Sequence, residues 1–197
     1  MKRIYITGGI GTGKSTATKV FKENGFSIIS ADIIAEDILK ENTLEIKRLF
    51  NIKENEFKEF KKELSSKVFN NKEDRKKLES IVLPKILDRI ETNSLKYESD
   101  KVPFVIEAPT YFEVRNMKKG TDDLVILITT EKETKIDRIK KRNPHLSIED
   151  INKRIDSQID DSKKEPLSDY IVNNDNLDLF KAELQGISEN IKDRFFI

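Results

Sequence analysis

An apolar run that passes directly into glycines and then into Lys-Ser leaves a chain few ways to fold. Here Ile4-Tyr5-Ile6 leads into Gly8-Gly9-Ile10-Gly11-Thr12-Gly13-Lys14-Ser15, which fits the pattern Gly-x-x-x-x-Gly-Lys-Ser of a phosphate-binding loop between a buried strand and a helix. The glycines let the backbone wrap closely enough for several N–H groups to point inward, and the helix that follows adds its positive N-terminal end. In that arrangement Lys14 reaches the β- and γ-phosphates and the Ser15 hydroxyl takes a place on Mg²⁺. The residues expected around the nucleotide are therefore Gly9, Ile10, Gly11, Thr12, Gly13, Lys14, Ser15 and Thr16. An accidental glycine-rich turn is the competing reading, and the strand before and helix after argue against it.

Phosphate loops serve GTP switches, motor ATPases and small-molecule kinases alike. Asn71-Lys72-Glu73-Asp74 spells the guanine-reading NKxD of GTPases, but it precedes a lysine-rich helical stretch and no DxxG comes before it. It is read instead as a helix start, with Asn71 as the cap.

The rest of the chain predicts an α/β fold with a parallel sheet. Lys2–Thr7 is a strand, Ser15–Asn24 a helix closed by Gly25, and Phe26–Ser30 a second strand, which together make a βαβ start. From Ile33 to about Ser99 the sequence is charged, helix-periodic and free of glycine. Within it Leu78, Ile81, Val82, Ile86, Leu87 and Ile90 form a stripe interrupted at Pro84. Val102–Ile106, with Glu107 at its end, and Leu124–Ile128 are apolar without alternation, as strands covered on both faces should be. Glu131–Arg142 is a helix ended by Asn143-Pro144. Ser147 caps the next helix, whose stripe is Ile148, Ile151, Ile155 and Ile159. Tyr170–Val172 is a last strand, and Leu177–Ile191 a last helix. Three parts follow: a nucleotide-binding core of residues 1–32, 101–137 and 167–197, a helical insert of residues 33–100 beside the sheet, and a hinged hairpin of residues 138–166.

Asp32 falls two residues after the second strand, on the sheet edge that carries the phosphate loop. Phosphoryl transfer needs an aligned hydroxyl, a group to take its proton, and cations to neutralise charge. Asp32 suits the proton acceptor and equally suits an N-cap for the following helix. Glu107 either orients Mg²⁺ or caps the loop before Pro109. Arg138 and Arg142 share a helix face, either as a solvated charged surface or as part of a lid closing over ATP. His145, in the break between the two helices, is read as a surface residue.

Composition narrows the setting. Lys and Arg number 37 against 36 Asp and Glu, a net charge of +1, so no global field gathers nucleic acid. There is no cysteine, which removes disulfides and thiolate metal sites. No apolar run approaches the roughly 20 residues that span a bilayer, and the start lacks a secretory pattern, so a cytoplasmic chain without a membrane partner is expected.

Taken together, ITGGIGTGKST (Ile6–Thr16), Ala31-Asp32-Ile33-Ile34-Ala35, PTYFE (Pro109–Glu113), the stretch Arg138–Gln158 with RIKKR and RIDSQ, and SDYIVNN (Ser168–Asn174) resemble the dephospho-coenzyme A kinase family over nearly the whole chain. The resemblance implies a P-loop kinase fold with a helical acceptor-binding insert and a lid. It also implies transfer of the γ-phosphoryl of ATP to the ribose 3′-hydroxyl of dephospho-coenzyme A. In that picture Asp32 is the base, Lys14 and Ser15 serve ATP and Mg²⁺, Arg138 and Arg142 belong to the lid, and Asn174 lies near the adenine. Three places depart from the family's usual residues: Ser30 and Glu36 stand where Asp and Arg are usual, Leu83 precedes Pro84 where His is usual, and Thr110-Tyr111 replace Leu-Leu. Glu36 reverses a charge near the acceptor, for which Lys85 or Arg89 are candidate compensations. A nucleoside or nucleotide kinase with another acceptor and a catalytically silent ATP binder are the rival readings. A monomer or small homo-oligomer is expected.

Overall fold

The computed structural model describes residues 3–195, with backbone alone for residues 69, 70 and 195. Arg3–Thr7 (β1), Ser27–Ser30 (β2), Phe104–Glu107 (β3), Asp123–Thr129 (β4) and Tyr170–Asn173 (β5) form one sheet, ordered β2-β3-β1-β4-β5. Every pairing is parallel. A parallel sheet is covered on both faces, which is why β4 reads LVILI without alternation: Val125, Ile126, Leu127 and Ile128 are all fully buried. One face packs on Lys14–Glu23 (α1) and Leu177–Phe195 (α10), where Ala17, Phe21, Phe180, Leu184 and Ile191 close the core over Ile4, Ile6 and Ile126.

The described chain divides into two compact units, residues 1–30 with 94–197, and residues 31–93. The second unit holds Ala31–Glu41 (α2), Thr43–Phe50 (α3), Phe57–Asn70 (α4) and most of Lys72–Ser99 (α5). Its core is Ile46, Phe50, Ile52, Phe60 and Leu64, with Leu78 and Val82 of α5 against it. Asn71 caps α5 as expected, its Oδ1 accepting from the N–H groups of Glu73 and Asp74 at 2.9 and 3.2 Å.

The break expected at Pro84 does not occur, because α5 runs unbroken through it. Proline removes the hydrogen bond to the carbonyl four residues back, on Ser80, and its ring crowds that carbonyl; both residues are exposed, so water can solvate the carbonyl and helix-forming flanks carry the turn.

In the first unit Tyr111–Val114 (α6) follows β3, and Lys132–Arg142 (α7) follows β4. Ile148–Asp156 (α8) is capped by Ser147, whose Oγ accepts from the Asp150 N–H at 3.0 Å. The stripe of that helix is narrower than expected. Ile151 is fully buried and Ile155 packs beside it, but Ile148 is 50% exposed and Ile159 lies beyond the helix end. Asp161–Lys164 (α9) and a 3-10 turn at Glu165–Leu167 lead to β5. No helix of the described residues is long and apolar enough to cross a membrane.

Candidate functional site

β1 ends at the sheet edge where the chain turns through Gly8–Gly13 into α1. Gly13 is the N-cap of α1 at φ 98°, and no acidic residue lies in the first turn. A Cβ on Gly13 would overlap the Asn174 side chain, and one on Gly8 would overlap the Ile128 carbonyl, so both positions require glycine for space as well as for backbone conformation. The Lys14 ammonium donates to the carbonyls of Gly8 and Gly9, each at 2.9 Å. It is thereby held against the loop beside the N-terminus of α1, a pairing of cation and helix end that suits an anion. Thr12 is fully buried and closes the loop on itself, with Oγ1 donating to Gly9 O at 2.9 Å. Ser15 is exposed at the helix start and Thr16 half-buried behind it.

Two later segments converge on this loop. Asn174, 2% exposed just beyond β5, donates from Nδ2 to Thr12 O at 2.8 Å. Its Oδ1 is buried with no hydrogen-bond partner among the described residues. Arg138 of α7 donates to Asn174 O at 2.7 Å and to the Gly11 and Thr12 carbonyls at 3.3 and 3.4 Å. Arg142, one turn on, is exposed and makes no hydrogen bond or ion pair among the described residues. The two arginines thus differ: one is bound into the loop's outer wall and the other faces solvent. His145 is exposed.

The sheet register sets Glu107 beside the loop. Ile6 of β1 pairs with Glu107, and Glu107 pairs with Ser30, so the three strands end abreast. Asp32 lies in the second unit, exposed within the first turn of α2 and not ahead of it. The cap reading therefore falls away, since the helix already begins at Ala31.

Among the described residues no cluster of three carboxylates or histidines could by itself hold a metal. Magnesium does not require one. It keeps several waters and takes one or two protein oxygens together with substrate phosphates. The Ser15 hydroxyl and the Glu107 carboxylate are hard oxygen donors of that kind.

Several residues at or near the site have contacts that the sequence does not announce, although Gln158 ends the RIDSQ stretch. Gln158 Oε1 accepts from the Ile10 N–H at 2.7 Å. Lys135 and Asp161 form an ion pair at 2.7 Å, 13% and 17% exposed, with the ammonium beside Gly9. Lys164, fully buried, places Nζ 3.1 Å from Glu113 Oε1, a charge pair without hydrogen-bond geometry. A pairing between residues so far apart in sequence leaves no local pattern to read.

The departures from the family's usual residues acquire partners. Glu36 is bridged by Lys40 at 3.2 Å and Lys61 at 3.3 Å, and hydrogen bonds from these two lysines hold its carboxyl below the usual range. Lys85 meets Glu45 at 3.6 Å, and Arg89 meets Glu41 at 3.1 Å. Tyr111 is buried, its hydroxyl donating to Asp123 Oδ2 at 2.6 Å and accepting from the Gly120 N–H at 3.1 Å. Burial and the Asp123 carboxylate push that phenol well above its ordinary value.

Comparison with known proteins agrees with this arrangement. The family model for dephospho-CoA kinase matches residues 3–178. A dephospho-CoA kinase of Wolinella succinogenes is 35% identical over 198 residues, covering 98% of this chain and 96% of its own. Among solved structures, a dephospho-CoA kinase from Campylobacter jejuni is 33% identical with a TM-score of 0.69, covering 98% of this chain and 96% of the other. A Thermus thermophilus protein, 23% identical, shares the fold at a TM-score of 0.83 over 98% of this chain and 97% of its own. Matched by the family model over nearly all its length, and by such relatives at a third identity, the chain belongs to the dephospho-CoA kinase family.

Proposed function

We propose that the chain performs the family's transfer, from ATP to the ribose 3′-hydroxyl of dephospho-coenzyme A, with the residues assembled around Gly8–Ser15 and with Asp32. The observation that carries this reading is the loop itself: Lys14 held on its rim at a helix N-terminus, abreast of Glu107 at the next strand end. Backbone N–H groups and Lys14 bind the phosphates and neutralise charge on the transferring group. Asn174, bonded to Thr12 at the foot of the loop, lies near the adenine in this reading. Ser15 and Glu107 would hold Mg²⁺, which supplies charge neutralisation at the phosphates.

In the reaction the acceptor oxygen bonds to the γ-phosphorus, the bond from that phosphorus to the bridging oxygen of ADP breaks, and the hydroxyl proton passes to the Asp32 carboxylate. Asp32 is exposed in the first turn of α2 and makes no hydrogen bond or ion pair among the described residues, so its oxygens are available to a proton. Residues 33–100 hold the acceptor and residues 138–166 serve as the lid, with Arg138 anchoring it and Arg142 reaching the nucleotide. The expected compartment is the cytoplasm.

Incubation with ATP, Mg²⁺ and dephospho-coenzyme A, followed by mass analysis, tests the reading. The product gains the mass of one phosphoryl group, and chelation of Mg²⁺ suppresses it. ADP formed only with a different acceptor would overturn the assignment.

A further inference from the structure

Gln158 lies between α8 and α9, and its carboxamide reaches the phosphate loop. Oε1 accepts from the Ile10 N–H at 2.7 Å, and a Cβ on Gly9 would come within 3.2 Å of the same oxygen. A backbone N–H can only donate, so this contact decides which end of the amide faces the loop: Oε1 is bound and Nε2, with its two hydrogens, is turned away from it. No hydrogen bond within the described residues uses that nitrogen. The amide stands at the edge of a cavity of about 320 Å³ whose walls include Gly9, Lys135, Ile155 and Asp161.

This placement is held from several sides. The half-buried Lys135–Asp161 pair and the Lys132–Asp156 pair at 3.0 Å tie the segment around Gln158 to α7. Ile10 itself packs against the cluster of Ile139, Leu146 and Ile151 in the α7–α8 hairpin. The donor is therefore oriented before any ligand arrives, which is what electrostatic stabilisation of a reacting group requires.

We propose that Gln158 contacts the terminal phosphoryl group of ATP, Nε2 donating to one of its non-bridging oxygens while Oε1 remains on Ile10. The inference rests on the reading of Gly8–Ser15 as the site of ATP's phosphates. A neutral amide fits the place because Lys135 is already neutralised by Asp161, and it adds a donor to the oxygens over which the charge of the transferring group is spread. ADP lacks that group, so the contact distinguishes the two nucleotides.

The test compares binding of a non-hydrolysable ATP analogue and of ADP, each with Mg²⁺, to the wild type, Gln158→Ala and Gln158→Glu by titration calorimetry, together with kcat. Glutamate keeps an oxygen for the Ile10 N–H and replaces the donor by a negative charge, so it preserves a purely structural role and removes the proposed one. The expected result is a loss of about tenfold in analogue affinity for the alanine variant, as one hydrogen bond to a charged group implies, and a larger loss for the glutamate variant. ADP affinity stays within about twofold of wild type, since one absent contact changes nothing for it. Wild-type analogue affinity and kcat in Gln158→Glu would overturn the proposal, as would equal losses for ADP and the analogue. Thermal unfolding shows whether each variant is folded, and Gln158→Glu decides the matter if the alanine variant is not. A wild type that binds neither nucleotide would remove the phosphate-loop reading and this inference with it, whereas nucleotide binding without transfer to dephospho-coenzyme A would leave this inference intact.

Discussion

Asn174 Nδ2 donates to the carbonyl oxygen of Thr12 at 2.8 Å, joining the turn after the last strand to the loop after the first. Arg138 reinforces the junction from α7 by donating to both partners' carbonyls. The glycine loop is thus braced by two later segments of the chain as well as by its own turns.

Loss of that brace should show in stability and binding together. Asn174→Ala is expected to cost about 1–2 kcal/mol, the worth of a buried hydrogen bond and the carbonyl left behind, and to weaken ATP. Gly13→Ala should cost more than its φ of 98° alone demands, because its methyl overlaps Asn174. Urea unfolding and ATP titration on both variants check this.

Asp32→Asn should lower kcat by about a hundred- to ten-thousand-fold, the range of general base catalysis. The KM for ATP should change by no more than about twofold, because the role of Asp32 begins with the acceptor proton. Steady-state kinetics with each substrate varied in turn separates the two, and normal turnover would leave Asp32 as an ordinary helix residue.

Lys164 has no exposed surface, and the carboxylate oxygens of Glu113 beside it are buried as well. Lys164→Met leaves one charge buried and unpaired, so a loss of about 3–5 kcal/mol is expected. Adding Glu113→Leu to Lys164→Met should restore most of it, since removing both charges also removes both desolvation costs. Denaturant melts of the two single variants and the double variant form the cycle that measures this.

Asp175 gives the fold a measurable acid response. Burial raises its carboxyl, but the hydrogen bonds from Thr130, the Glu131 N–H and Asn173 outweigh that and hold it below the usual value. A depressed carboxyl binds its proton more readily in the unfolded chain, so stability rises with pH through this window. The contribution is complete above the ordinary aspartate value of about 3.9 and disappears as pH falls through the lowered one. Asp175→Asn should therefore trail the wild type at neutral pH and converge with it in acid, as read from urea midpoints across pH.

How much of this could be read from residue order depends on the range of the interaction. The phosphate loop, the Ser147 and Asn71 caps and the uninterrupted apolar strands announce themselves because each is a local demand on backbone or burial. Pro84 misled for a local reason too: in a water-facing turn the missing N–H is tolerated, and α5 continues. Glu36 stood out as a reversed charge, but its ion pairs with Lys40, one turn along the same helix, and Lys61 from α4 could not be picked from among the many lysines of this charged stretch. Lys135 and Lys164 gave no sign, and RIDSQ brought Gln158 into view without a role, because their partners are chosen by the tertiary fold and not by spacing. Tyr111 looked like a departure from its family and is instead half of a matched pair with Asp123.

The strand order has a consequence for how the molecule comes into being. Ile4 is flanked by Val105 on one side and Leu124 on the other, so β1 has no strand to bond until the chain has been made through β3, and lacks its second neighbour until β4. During synthesis residues 31–93, whose core is internal to them, can condense first, while the glycine loop waits unmoored. Made before either strand it bonds to, β1 is therefore among the last of the described elements to acquire its place, and a chain truncated before β4 should carry helices without an ordered glycine loop.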